Sequence, residues 1–147
     1  MNSQTCSVFS DGGSRGNPGK AACACVLLNP EGRKIDDDAK YLGITTNNQA
    51  EYEGLILALN LALKYNCSHL TCFMDSQLVV MQVTGKYKIK DEGLRAKAQI
   101  VDSLLRRFAF VEIKYVPREK NKEADRLVND ILDRGEVTYH PLKKKDP

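Results

Sequence analysis

Four acidic residues, Asp11, Glu51, Asp75 and Asp125, occupy positions where a carboxylate is awkward for a purely structural purpose. Asp11 follows the apolar run Val8-Phe9-Ser10 and opens a glycine-rich stretch, so a strand would deliver its carboxylate into a loop. Glu51 lies four positions before Leu55 and seven before Ala58, which puts it at the head of a helical stripe facing the interior. A carboxylate aimed at a core needs a partner. Asp75 ends the apolar run Leu70 to Met74, at the carboxyl end of a strand, the edge where open α/β sheets bind ligands. Asp125 flanks an inward helical stripe through Val128 and Leu132. Plainer explanations exist for each: Asp-Gly is a turn signal, a Glu near a helix start is favoured by the helix dipole, and Asp75 or Ser76 is suited to capping the next helix.

The glycines after Asp11 invite comparison with phosphate-cradling loops. Gly12, Gly13, Gly16 and Gly19 fit neither G-x-G-x-x-G nor G-x-x-x-x-G-K-[ST], and Ala21 to Leu28 reads as strand rather than helix. A nucleotide-binding loop is therefore excluded. Glycine does permit close approach of the backbone to a ligand, which would put Arg15 and Asn17 within reach of phosphate or sugar.

The elements that must position these acids follow from periodicity. Thr5 to Ser10, Ala21 to Asn29 and roughly Lys34 to Leu42 read as three strands joined by turns at Asn17-Pro18-Gly19 and Asn29-Pro30-Glu31-Gly32, an antiparallel meander. In the third, Asp36, Asp37 and Asp38 are expected on a solvated edge strand or its bulge. Asn47 to Tyr65 is the clearest helix, with Leu55, Leu59 and Ala62 inward and Glu53, Asn60 and Lys64 on the opposite side. Leu70 to Met74 has the continuous apolar pattern of a buried parallel strand, followed by a helix from Ser76 to Val83. A lysine-bearing connector, Gly85 to Asp91, leads to a helix from Glu92 to Phe108, then a strand from Phe110 to Val116 and a helix from Asn121 to Asp133. Gly135 stops that helix, and residues 135–147 read as a tail, docked or not, beyond a domain at 1–134.

At 147 residues and 42% apolar content the chain suits one well-packed domain. Its net charge of +3 is compatible with a polyanionic partner without demanding one. No basic segment precedes an apolar run and no apolar stretch is long enough to span a membrane, so the expectation is a cytoplasmic, soluble monomer with no membrane partner. Five cysteines, most of them inside apolar runs and none in C-x-x-C pairs, read as reduced core residues rather than a disulfide framework or zinc site.

Taken together, the order of elements and four motifs resemble ribonuclease H type I. The motifs are Phe9-Ser10-Asp11-Gly12-Gly13 with Gly16-Asn17-Pro18-Gly19, Thr45-Thr46-Asn47-Asn48-Gln49-Ala50-Glu51, Met74-Asp75-Ser76, and Asn121-Lys122-Glu123-Ala124-Asp125-Arg126-Leu127. The resemblance implies an α/β, ribonuclease H-like fold: a five-stranded mixed sheet, three strands antiparallel and two parallel, flanked by helices. It implies a metal-dependent endonuclease that hydrolyses the RNA strand of RNA/DNA hybrids, leaving 5′-phosphate and 3′-hydroxyl ends. Asp11, Glu51, Asp75 and Asp125 would then be the catalytic acids and metal ligands for Mg2+ or Mn2+, two ions with substrate bound. Gly13, Ser14, Arg15, Asn17, Asn48 and Gln49 would contact the substrate, several of them at the RNA 2′-hydroxyls, and Thr46 and Asn47 would help hold a DNA-strand phosphate.

Two departures from the family pattern stand out. The loop before the last helix, Pro117-Arg118-Glu119-Lys120, lacks the histidine many members carry, which leaves that catalytic role to Arg118 or to no residue. The chain has no Trp and only the short Lys86 to Lys90 connector in place of the basic protrusion of bacterial members, so its grip on substrate is expected to be weaker. Alternatives are a broader nuclease that also cuts double-stranded RNA and a non-catalytic nucleic-acid-binding module on the same fold. A pure binder has no need to gather negative charge beside phosphate.

Overall fold

A computed structural model describes residues 4–135. The tail, apart from Gly135, lies outside the described residues. Five strands form one mixed sheet in the order β3-β2-β1-β4-β5: β1 Gln4–Gly16, β2 Gly19–Leu28, β3 Lys34–Thr45, β4 Cys67–Met74 and β5 Phe110–Tyr115. β1 pairs antiparallel with β2 and β2 with β3, whereas β4 runs parallel to β1 and β5 parallel to β4. The helices are α1 Asn47–Lys64, α2 Gln77–Val83, α3 Glu92–Leu105 and α4 Lys122–Arg134, with a 3-10 turn at Arg118–Lys120 before α4.

α1 lies against one face of the sheet. Tyr52, Leu55, Leu59 and Ala62 are fully buried there, against Val8 and Leu27 of the strands. Burying each leucine removes enough apolar surface from water to contribute about 2 kcal/mol. α4 covers the other face, where Ala124, Val128 and Ile131 pack on Ala22, Ala24 and Val26. Small alanines on β2 let this helix sit close to the strand. Among the described residues no helix is long and apolar enough to cross a membrane.

The structure corrects four expectations. The glycine-rich stretch is not a loop: β1 continues past Asp11 to Gly16, paired residue by residue with β2 until Gly16 meets Gly19. A run of glycines and polar residues hides a strand whose partner is supplied by the following one. Gly12 serves α1 rather than a ligand, because a Cβ there would lie 2.1 Å from the Ala50 carbonyl oxygen. Gly54 is the reciprocal contact, its absent Cβ 2.5 Å from the carbonyl oxygen of Asp11. Helix and strand backbones thus touch at the residue that matters most.

Asp36 and Asp37 are not solvated. They are 1% and 2% exposed, because a bulge at Ile35 offsets β3 between the pairs Leu27–Asp36 and Leu28–Lys34. Tyr65 donates its hydroxyl to Asp36 at 2.5 Å, and Lys34 reaches Asp37 at 2.7 Å and Glu123 on α4 at 3.0 Å. The expected all-reduced cysteines are likewise corrected. Cys6 and Cys67, 61 positions apart, form a disulfide across the parallel β1–β4 pair. Residue spacing could not show this, since it depends on the register of two strands separated by α1. Closing that loop removes denatured-state freedom equivalent to about 4 kcal/mol in the chain-entropy account. Cys23, Cys25 and Cys72 are buried core side chains, as expected.

Candidate active site

Parallel pairing of β1 and β4, with Ser10 opposite Met74, brings the next residues of both strands, Asp11 and Asp75, to the same sheet edge. The glycine contact between α1 and β1 brings Glu51 beside them. One carboxylate oxygen from each of Asp11, Glu51 and Asp75 lies within 4.8 Å of the others. Asp125, in the first turn of α4, lines the same cleft of about 350 Å3, together with Gly13, Ser14, Arg15, Asn47 and Arg118.

Asp11 and Glu51 are 5% and 6% exposed and no salt bridge reaches either among the described residues. Burial, followed by the nearby charges of Asp75 and Asp125, pushes the Asp11 carboxyl up to about 8. Burial and then the charges of Asp11 and Asp75 hold Glu51 well above the ordinary carboxylate range. Asp75 is also raised, chiefly by burial, with Asn121 and Arg118 pulling the other way. Oε1 of Glu51 is buried without a protein partner. This is an all-oxygen donor set in which, among the described residues, no salt bridge reaches Asp11, Glu51 or Asp75, and it fits a hard divalent ion such as Mg2+ or Mn2+.

The β1–β2 hairpin is fastened to α1 at the rim. Asn47 Oδ1 accepts from the Ser14 backbone N–H at 3.3 Å, and Asn17 Oδ1 accepts from the Asn47 N–H at 3.0 Å. Thr46 caps α1, its hydroxyl accepting from the Gln49 N–H. Arg15 extends to Asn129 at 3.2 Å and Asp133 at 2.8 Å on α4. Asn17, Thr46, Asn48 and Gln49 do not line the cleft. Gln49 turns towards α3, where its Nε2 occupies the space a Cβ on Gly93 would need.

Arg118 is exposed and places a guanidinium nitrogen 3.5 Å from Asp125 Oδ1. The cleft also includes Val128, Asn129 and Leu132, which the sequence reading did not assign to the site. Their spacing from Asp125 on one helical face was the available signal.

Known proteins that this chain resembles point to one family. The family model described as reverse transcriptase-like matches residues 9–131. Ribonuclease HI of Halobacterium salinarum is 42% identical over 126 residues, 86% of this chain and 63% of that protein. A bifunctional protein of Mycobacterium tuberculosis is 39% identical over 127 residues, 86% of this chain and 35% of that protein. The chain thus spans less than two thirds of the length of these relatives. Among solved structures, RNase H1 from Halobacterium salinarum superposes with a TM-score of 0.87 at 40% identity, covering 89% of this chain and 99% of that one. LC11-RNase H1, solved in complex with an RNA/DNA hybrid, gives 0.85 at 34% identity, with 90% and 100% covered. Acids gathered at one sheet edge, the mixed five-stranded topology and matches over most of the chain lead to one assignment: the chain belongs to the ribonuclease H type I family, within the reverse transcriptase-like group.

Proposed function

We propose that this protein is an endonuclease that hydrolyses the RNA strand of RNA/DNA hybrids with Mg2+ or Mn2+, leaving 5′-phosphate and 3′-hydroxyl ends. The observation that carries the reading is the convergence of Asp11, Glu51 and Asp75 within 4.8 Å, with Asp125 on the same cleft. Burial and mutual repulsion raise these carboxyls, so the cluster takes on its full negative charge beside a phosphate only when cations come with it. Asp11, Glu51, Asp75 and Asp125 would hold two divalent ions, which supply Lewis acidity for activating the attacking water and stabilising the leaving 3′ oxygen.

The chain's own residues orient the duplex. Gly13, Ser14 and Arg15 line the cleft beside the acids and offer backbone and side-chain donors to the RNA strand. Asn17 and Asn47 set the shape of this rim by tying the hairpin to α1. Thr46, Asn48 and Gln49 stand at the start of the same helix, whose N-terminal dipole suits a phosphate. A guanidinium is not a proton shuttle, so Arg118 acts through its charge, on phosphate or on the departing product. A hybrid is also what LC11-RNase H1 binds in its complex.

The test is cleavage of labelled RNA/DNA hybrid, duplex RNA and duplex DNA in Mg2+, Mn2+ or chelator. Metal-dependent cutting of the RNA strand of the hybrid is expected. Equal cutting of duplex RNA would broaden the substrate class, and binding of hybrid without cleavage in either metal would overturn the reading.

A further inference from the structure

Asn121 stands at the N-cap of α4 and is 1% exposed, yet its side chain makes no capping hydrogen bond to the helix. An asparagine there normally satisfies a free helix N–H. Here the side chain is turned inward. Its Nδ2 donates to the carbonyl oxygen of Ser10 at 2.8 Å, across 111 positions of sequence, and that carbonyl belongs to the peptide leading into Asp11. The same side chain lies near enough to Asp75 to favour its charged carboxylate. Its backbone carbonyl accepts from the Asp125 N–H at 3.1 Å, and its own N–H donates to the Arg118 carbonyl at 2.9 Å. Asn121 Oδ1 is left buried without a partner, a cost that a residue kept only to fill space would avoid by being apolar.

Resting on the function proposed above, we propose that Asn121 is a positioning residue that fixes Asp11, Asp75 and Asp125 relative to one another for cation binding. A planar amide with two hydrogens donates one to the β1 carbonyl and keeps a second available beside Asp75. Its backbone meanwhile sets the first turn of α4. The Asn121 amide is thus a side-chain donor to the peptide before Asp11. The acids repel one another, so without this clamp their spacing would relax outwards.

The experiment compares wild type with Asn121→Ala, Asn121→Ser and Asn121→Asp in three ways. Mn2+ binding to the free protein is followed by calorimetry, kcat and KM are measured on a labelled hybrid, and folding is checked by melting in chelator. Ser is a good N-cap, so a merely helix-ending role predicts that Asn121→Ser behaves as wild type. The positioning role predicts that Ala and Ser both weaken Mn2+ binding about 10- to 100-fold and lower kcat to a similar extent, with KM within about twofold. Asn121→Asp, equal in size but without the donors, should bind Mn2+ differently from wild type in the same titration while retaining the fold. Folded Ser and Asp variants with wild-type Mn2+ affinity and kcat would overturn the inference, whatever Ala does. A wild-type protein that binds Mn2+ but leaves the hybrid intact would instead count against the proposed function.

Discussion

Among the described residues four carboxylates are buried, Asp36 with Asp37 on β3 and Asp11 with Glu51 at the β1–α1 contact, and the two pairs are treated differently. Asp36 and Asp37 each have a donor built for them. The Tyr65 hydroxyl, pushed up to about 12 mainly by its bond to Asp36, and the Lys34 ammonium, raised by its bond to Asp37, carry these contacts. They join β3 to the end of α1 and to α4. Asp11 and Glu51 receive no such cation, and their carboxyls are raised by burial and by other acids. One pair is satisfied within the fold and works as internal glue. The other is left electrically incomplete, which is useful only where an external cation completes it.

The largest effect that would sharpen this contrast is at Asp75. Asp75→Asn keeps the shape and removes a charge, so hybrid cleavage in Mg2+ should fall by at least about 1000-fold, or about 4 kcal/mol of barrier. Melting temperature in chelator should stay level or rise, because one source of repulsion is gone. Near-normal turnover in a steady-state assay would remove the acids from the mechanism.

Arg118→Ala comes next. Turnover should slow by about 10- to 1000-fold, roughly 1.4 to 4 kcal/mol, with circular dichroism unchanged. Arg118→Lys should recover part of the loss if charge suffices, and little if a bidentate phosphate contact is needed. Unchanged kinetics would reduce the Arg118–Asp125 pair to an exposed ion pair of small value.

Asp36→Ala should do the reverse of Asp75→Asn. Leaving the Tyr65 hydroxyl without its acceptor should cost about 1 to 3 kcal/mol in a denaturant melt, with kcat on hybrid within about twofold of wild type. A large loss of activity with no loss of stability would show that the two pairs are not separable.

The smallest effect is a pH dependence. Asp11 has a folded value near 8 against 3.8 for the free side chain, so between these limits the folded state keeps a proton that the unfolded state has lost. Stability in chelator should therefore fall as pH rises from 5 to 8, by on the order of 3 °C or more in melting temperature. Saturating Mg2+ should flatten that slope, since the bound ion favours the charged acids. A melting temperature that rises over this range in chelator would contradict the burial of uncompensated acids.

Much of this was legible in the sequence because it rests on local rules. Periodicity located the helices to within a few residues, and strand-forming residues between turn signals located the strands, although β1 runs six residues past its expected end. Motif order identified the topology, and Glu51 could be set on the inward face by counting from Leu55. The residues that escaped are those whose state depends on a neighbour far along the chain. Asp36 and Asp37 read as solvated because a run of acids on an edge strand usually is, and only the bulge at Ile35 with Tyr65 and Lys34 makes burial tolerable. Cys6 and Cys67 read as separate thiols until the parallel register of β1 and β4 set them side by side. Gly12 and Gly54 read as a turn residue and a helix residue, whereas together they let two backbones touch. The sequence by itself determined which chemistry was available, four carboxylates on four elements, because residue type and periodicity are written in it. Only the tertiary structure decided that three of them share a space of 4.8 Å and that Asn121 leaves its own helix to join them, because distances between elements are set by packing rather than by spacing along the chain.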